Sequence, residues 1–287
     1  MAAPAAQNRY GVSRVRLLKV GRRSDRHDVK DLTVSISLDG DFGAGVASGD
    51  TSALLAPETL RNTIHALALN TPPEIGEEQI EQFGARLAEY FLDGNSALSH
   101  VTIEIAEAAW SRLNAGGKPH PQAFARGIEE QRTAHVTASR QGVHFDVGFR
   151  DAFLLKTAPA AFLGYRQDPF SSPSEAGDAL LAGALTASWR YQSGEVPFAT
   201  VWHGARQALL DTFATHESRS PQHLLHAMAQ TALASYDEIA GIYLALRRRS
   251  WPPADLSRFG LDNRNELFLP ADTPETVTEV RFIRPAL

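Results

Sequence analysis

The sequence predicts an α+β fold in which antiparallel strands carry paired helices on one face, and it predicts that plan twice. Three observations carry the prediction. Residues 29–38 alternate Leu32, Val34, Ile36 and Leu38 against Thr33, Ser35 and Ser37, as a half-buried strand does. Residues 76–92 place Ile80, Phe83, Leu87, Tyr90 and Phe91 on one helical stripe. The same order of strands, two helices and a strand then recurs in the second half. A chain of 287 residues holds two units of about 140, expected at 9–140 and 141–287.

The elements follow in order. Residues 13–20 read as a strand with Val15, Leu17 and Lys19 on one face, and polar residues 22–28 as a turn. Residues 40–49 are rich in glycine but lack the Lys-Ser/Thr of a phosphate loop, so they read as a loop or bulged edge. Pro57 suits the first turn of a helix over 58–69, where a missing N–H costs nothing. After the second helix, strands are expected at 101–109 and 134–138. Between them Gly-Lys-Pro-His-Pro, from Gly117 to Pro121, reads as a rigid turn, because Pro119 and Pro121 lack N–H groups and hold φ near −65°. The second half places strands at 143–156 and 187–192, helices at 200–215 and 220–234, and a strand at 236–247. Sheets of this kind keep open edges, for which oligomerisation is the usual remedy.

Composition narrows the function classes. There is no cysteine, which excludes disulfides, thiolate zinc sites and a cysteine nucleophile. A net charge of −5 gives no electrostatic reason to expect nucleic acid or an anionic membrane as partner. No segment nears the ~18 consecutive apolar residues of a membrane span. The first residues lack the apolar core of a signal peptide, and the last four, Arg-Pro-Ala-Leu, are not a peroxisomal address. A soluble, cytoplasmic protein is expected.

The stretch from Gly117 to Val136, GKPHPQAFARGIEEQRTAHV, resembles the mid-chain signature of the urate oxidase (uricase) family. Further anchors resemble that family at nearly gap-free spacing: Arg9-Tyr10-Gly11 with 15–20, Leu60 to Ile64, Leu155-Lys156-Thr157 with Phe162 and Gly164, Thr212-Phe213-Ala214 with Gln222 and Met228, and Asp255-Leu256-Ser257 with Asn263, Glu266 and Pro270. The resemblance implies the tunnelling fold, homotetramers enclosing a tunnel, and active sites at subunit interfaces. It also implies cofactor-free oxidation of urate by O₂ to 5-hydroxyisourate and hydrogen peroxide.

The same resemblance implies altered site residues. The family's catalytic lysine follows Tyr-Gly, where this chain has Val12, and its partner threonine falls on Pro57. Glu58 keeps a backbone N–H for a ligand edge. The clamp arginine falls on Ala179, the clamp glutamine on Gln222 after Pro221, and the ring-stacking aromatic on Phe162. The asparagine and histidine of the O₂ site fall on Arg248 and Ser250. Losing a general base alone costs about 10²–10⁴-fold in rate. Two readings follow: a repurposed pocket for another planar purine-like or pterin-like heterocycle, anionic, with Arg248 replacing the clamp; or a catalytically silent homologue acting as scaffold or partner subunit. Against the first stands the plainer reading of Arg247 to Arg249 as a solvated strand end.

Other constellations are weaker. His216, His223 and His226 include an i, i+3 pair but match no zinc motif, and no metal or other cofactor is expected. His120 reads as a turn or interface residue. No Gly-x-Ser-x-Gly elbow occurs. Trp189, Trp202 and Trp251 read as core or interface.

Overall fold

The computed structural model describes residues 8–71, 78–157, 166–171, 180–271 and 274–284. Two compact units emerge: 1–147 with 193–199, and 148–192 with 200–287.

In the first unit, β1 (Arg9–Arg22), β2 (His27–Gly40), β3 (Leu98–Ala115) and β4 (Lys118–Ser139) pair antiparallel in sequence order. The turn between β1 and β2 closes with Arg23 N–H donating to the Arg26 carbonyl, 3.0 Å. Val34, Ile36 and Leu38 of β2 are buried, as are Val101, Ile103 and Ile105 of β3. Helices α2 (Pro57–Leu69) and α3 (Ile80–Gly94) supply Leu60, Ile64, Phe83, Leu87 and Phe91 to that core. Gln79 and Gln82 form a capping box at the start of α3, satisfying N–H groups that the helix leaves orphaned. Residues 76 and 77 of the expected helix lie outside the described residues.

In the second unit, the later part of β5 (Gly142–Lys156) is followed by β6 (Leu181–Tyr191), β7 (Ile239–Arg249) and β8 (Glu275–Ile283), again in sequence order. Helices α4 (Phe198–Thr215) and α5 (Pro221–Ser235) contribute Trp202, Leu209, Leu224, Leu225 and Met228. The indole of buried Trp202 donates to the Gly148 carbonyl, 2.9 Å. Trp189 is buried in β6 and Trp202 in α4, so both are core residues.

Three local expectations are corrected. Residues 43–48 of the glycine-rich stretch form a short helix, α1 (Gly43–Ser48), ended by Gly49 in the left-handed region at φ 75°. The turn of the β3–β4 hairpin is Gly116-Gly117, with φ 59° and 78°, rather than the Pro-His-Pro run that follows it. Pro119 lies inside β4 opposite Asn114, and the ladder next resumes at Phe124 opposite Arg112. Residues 120–123 therefore bulge out, which suits prolines that cannot donate to a ladder. Arg112 fills the bulge, donating to the carbonyls of His120 and Pro121 at 3.0 and 2.9 Å. Finally, β8 was not read from the sequence. It buries only Thr278 and half-buries Val280 and Phe282, a weak inward row for a strand.

Candidate functional site

Several of the candidate positions lie in the first unit. A Cβ on Gly11 would lie 1.8 Å from the Ile36 carbonyl oxygen, so β1 approaches β2 where only glycine fits. Val12 pairs with Ile36, but Val15 pairs with Val34, so β1 carries one extra residue in a bulge. Arg14 sits in that bulge at φ 59°, and its backbone N–H donates to Ser35 Oγ, 3.1 Å. The second unit repeats the device. A Cβ on Gly148 would lie 1.9 Å from the Ala187 carbonyl, and Asp151, again three residues on, has φ 61°.

Tyr10 ties this strand to the segment that leads into α2. Its hydroxyl accepts the Leu55 N–H at 2.8 Å, and its ring meets Phe42 edge-on with centroids 4.9 Å apart. Val12 is half-buried on β1. Pro57 is the first helical residue after Ala56, whose side chain makes no cap. Leu60 N–H reaches the Ala56 carbonyl at 3.2 Å, which leaves Glu58 and Thr59 with the N–H groups that the helix cannot satisfy itself. Such groups, at the positive end of the helix dipole, favour an anionic ligand edge.

Further candidate positions lie in the second unit. Ser220 caps α5 by accepting the His223 N–H at 3.1 Å, Pro221 is buried in the first turn, and Gln222 beside it is exposed. The sequence alternation of β7 divides its three terminal arginines. Ile242, Leu244 and Leu246 form a buried row, and half-buried Arg248 continues it. Arg247 and Arg249 take the opposite face. Arg247 ion-pairs with Asp151, while Arg249 pairs with Glu275 at 3.2 Å and lies over the Phe153 ring at 5.4 Å. The run is the C-terminal end of β7, with Arg247 exposed, and only Arg248 belongs to the core-side row. Ser250 follows the strand, exposed, with its carbonyl accepting the Ala271 N–H at 3.1 Å.

The C-terminal anchors turn out to be local staples. Asp255 accepts from the Ser257 backbone N–H at 3.0 Å, and the Ser257 hydroxyl and N–H hold its carboxyl below the usual range. Asn263 donates to the carbonyls of Ala254 and Leu267 and accepts from the N–H groups of Glu266 and Leu267. Phe162 and Ala179 lie outside the described residues.

The helix histidines separate. His216 and His223 meet edge to face with centroids 4.7 Å apart, whereas His226 faces Phe282 at 5.3 Å. Among the described residues no group of three acidic or histidine side chains could hold a metal ion. His120 accepts the Gln122 N–H at 3.2 Å within the β4 bulge. No described helix is long and apolar enough to cross a membrane.

Chemically, the first unit offers first-turn N–H groups at Glu58 and Thr59, and the second unit offers an amide at Gln222 and a guanidinium at Arg248. Val12 and Pro57 carry no proton. Arg14 was missed in the sequence, where the only trace of its bulge is the slip between Val12 and Val15 in the inward-facing pattern.

Comparison with known proteins agrees with the anchors read from the sequence. The family model described as uricase matches residues 8–137 and 146–279. A uricase of Arthrobacter globiformis is 33% identical over 278 residues, covering 97% of this chain and 89% of that protein. A uricase of Dictyostelium discoideum is 28% identical over 281 residues, covering 96% of each. The crystal structure of the Arthrobacter globiformis uricase superposes with a TM-score of 0.91 at 32% identity, over 100% of this chain and 97% of that one. A uricase structure from Bacillus fastidious shares the fold with a TM-score of 0.81 at 19% identity, over 96% of this chain and 93% of that one. The chain belongs to the uricase family.

Proposed function

We propose that this uricase-family protein binds a planar, anionic purine-like or pterin-like heterocycle other than urate, in the pocket where its relatives carry out urate oxidation. Oxidation of urate requires a group that takes its protons. The positions to which the family resemblance assigns that work carry Val12 and Pro57, with Arg248 and Ser250 on the O₂ side. Loss of a base alone costs about 10²–10⁴-fold, so urate turnover at uricase-like rates is not expected.

The observation that carries the reading is Arg248, half-buried at the end of the inward row of β7, on the side opposite its ion-paired neighbours Arg247 and Arg249. A guanidinium there offers planar, bidentate recognition of a carboxylate or enolate edge. The Gln222 amide reads a second edge, the Glu58 N–H a third, and Phe162 stacks on the ring. The site needs no cofactor and no nucleic-acid or membrane partner. O₂ enters only as a co-substrate for whatever heterocycle is turned over. The working form is a homotetramer with sites completed at subunit interfaces.

The test starts from protein whose mass by light scattering is that of a tetramer. Oxygen uptake with excess urate is expected to stay at background, while a thermal-shift panel of purines, pterins and their carboxylates gives at least one saturable stabiliser. That stabilisation should fall about tenfold or more in apparent affinity in Arg248→Met and in Gln222→Ala. Urate turnover at uricase-like rates overturns the reading. Silence across the whole panel replaces it with the scaffold or partner-subunit role.

A further inference from the structure

A cavity of about 280 Å³ lies in the first unit between the inner face of β1 and β2 and the facing ends of α2 and α3. Its floor is apolar, made by Leu17, Leu32, Ala68, Ile80 and Phe83. Above that floor the inward rows of both strands change from aliphatic to cationic. On β1 the row Val15, Leu17 continues as Lys19; on β2 the row running back from Val34 and Leu32 continues as Lys30. Lys19 and Lys30 are direct cross-strand partners. Like charges placed directly opposite, with Cβ atoms about 5 Å apart, are destabilising.

The protein compensates this pair only in part. Lys19 Nζ donates to Thr71 Oγ1 at 2.5 Å, and Lys30 Nζ donates to the Glu78 carbonyl. Each ammonium has three donors, and among the described residues each makes one such bond. The Glu78 carboxylate, whose charge acts on Lys19, is already held by Arg86 through Nε–Oε1 at 2.7 Å and Nη2–Oε2 at 2.9 Å. Burial is the main cause that lowers the Lys19 pKa, so the cavity already exerts a cost on that charge. Lys19 and Lys30 thus converge over an apolar floor, with Glu78 committed to Arg86; Asp28, which lines the cavity together with Arg22 and Arg23, is held by Arg112 at 2.9 Å.

We infer that this cavity is a second binding site, for a small organic carboxylate whose apolar body covers Leu17, Leu32 and Phe83 while its head group takes the spare N–H donors of Lys19 and Lys30. The apolar floor selects against inorganic anions, which would leave it wet, and the paired ammonium groups select against neutral ligands. The site is separate from the pocket proposed above. It lies at the C-terminal end of α2, while Pro57 and Glu58 lie at the N-terminal end, about 18 Å away at 1.5 Å per residue.

Isothermal titration of the full chain with 1-naphthoate tests it, with 1-naphthamide and inorganic phosphate alongside. Saturable naphthoate binding at one per chain is expected, at least tenfold weaker in Lys19→Met and in Lys30→Met, retained in Lys30→Arg, and unchanged in Gln222→Ala. Circular dichroism confirms that each variant is folded, and Lys30→Gln replaces any methionine variant that is not. No saturable naphthoate binding overturns the proposal, as does naphthamide or phosphate binding equally well. Unaltered affinity in the charge-removing variants overturns it too. Loss of binding in Gln222→Ala moves the ligand to the other pocket and overturns the second site alone.

Discussion

Arg132 is the last residue of the charged run inside the central signature, and its work is structural. Its guanidinium grips both carboxylate oxygens of Glu81, at 2.9 and 2.8 Å, and donates to Gln79 Oε1 at 2.9 Å. Glu81 is completely buried at the start of α3. Cutting one partner of a buried pair strands the other charge, at about 3–5 kcal/mol. Arg132→Met is therefore expected to lower unfolding stability by about that much in denaturant titration; a loss under about 1 kcal/mol would show that water reaches Glu81. Lys19 gives a pH prediction. Its pKa is lowered, first by burial and then by Arg86 and Lys30, with Glu78 opposing. A lysine whose folded value lies below its unfolded one destabilises the fold while charged, and the penalty is relieved as pH rises through the folded value toward the ordinary 10.5. Without ligand, Lys19→Met should melt no lower than the parent at neutral pH. Its advantage should shrink as alkaline pH neutralises Lys19, and an advantage that widens instead would contradict the sign.

Helices were the most legible elements, because the stripe through Ile80, Phe83, Leu87 and Phe91 needs only local sequence. Strand cores were legible for the same reason, but not strand lengths. β4 extends to Lys118 because carbonyls flanking its prolines are taken up by Arg112, a contact no window of sequence displays. β8 escaped notice since an edge strand with charges at alternate positions resembles a solvated tail. The close glycine contacts on β1 and β5 were invisible for a further reason: they depend on the partner strand's carbonyl. Gly148→Ala places a methyl against the Ala187 oxygen, 1.9 Å from the ideal Cβ position. The variant is expected to lose about 3 kcal/mol or more, the scale of a breached backbone contact. A melting temperature unchanged from the parent would mean the two strands can part without cost.

At the scale of the whole molecule, the chain's membership in the uricase family and its tunnelling fold could be read from spaced anchors, and several of those anchors prove to be staples: Tyr10 on Leu55, Asn263 on its own loop, Arg132 on α3. Signature strings record what the fold needs as well as what the chemistry needs, so a match to them fixes the fold before it fixes the reaction. The division of Arg247 to Arg249 between two faces required the strand to be seen, since a run of three identical residues carries no periodicity. The repeated glycine contact points further back. Among the described residues, a glycine pressed on a neighbouring carbonyl and followed three residues later by a left-handed side chain occurs in each unit, as Gly11 with Arg14 and Gly148 with Asp151. Duplication and fusion of one ancestral half would leave that mark. The two positions carry opposite charges, a guanidinium at Arg14 and a carboxylate at Asp151, so the two units are not interchangeable there.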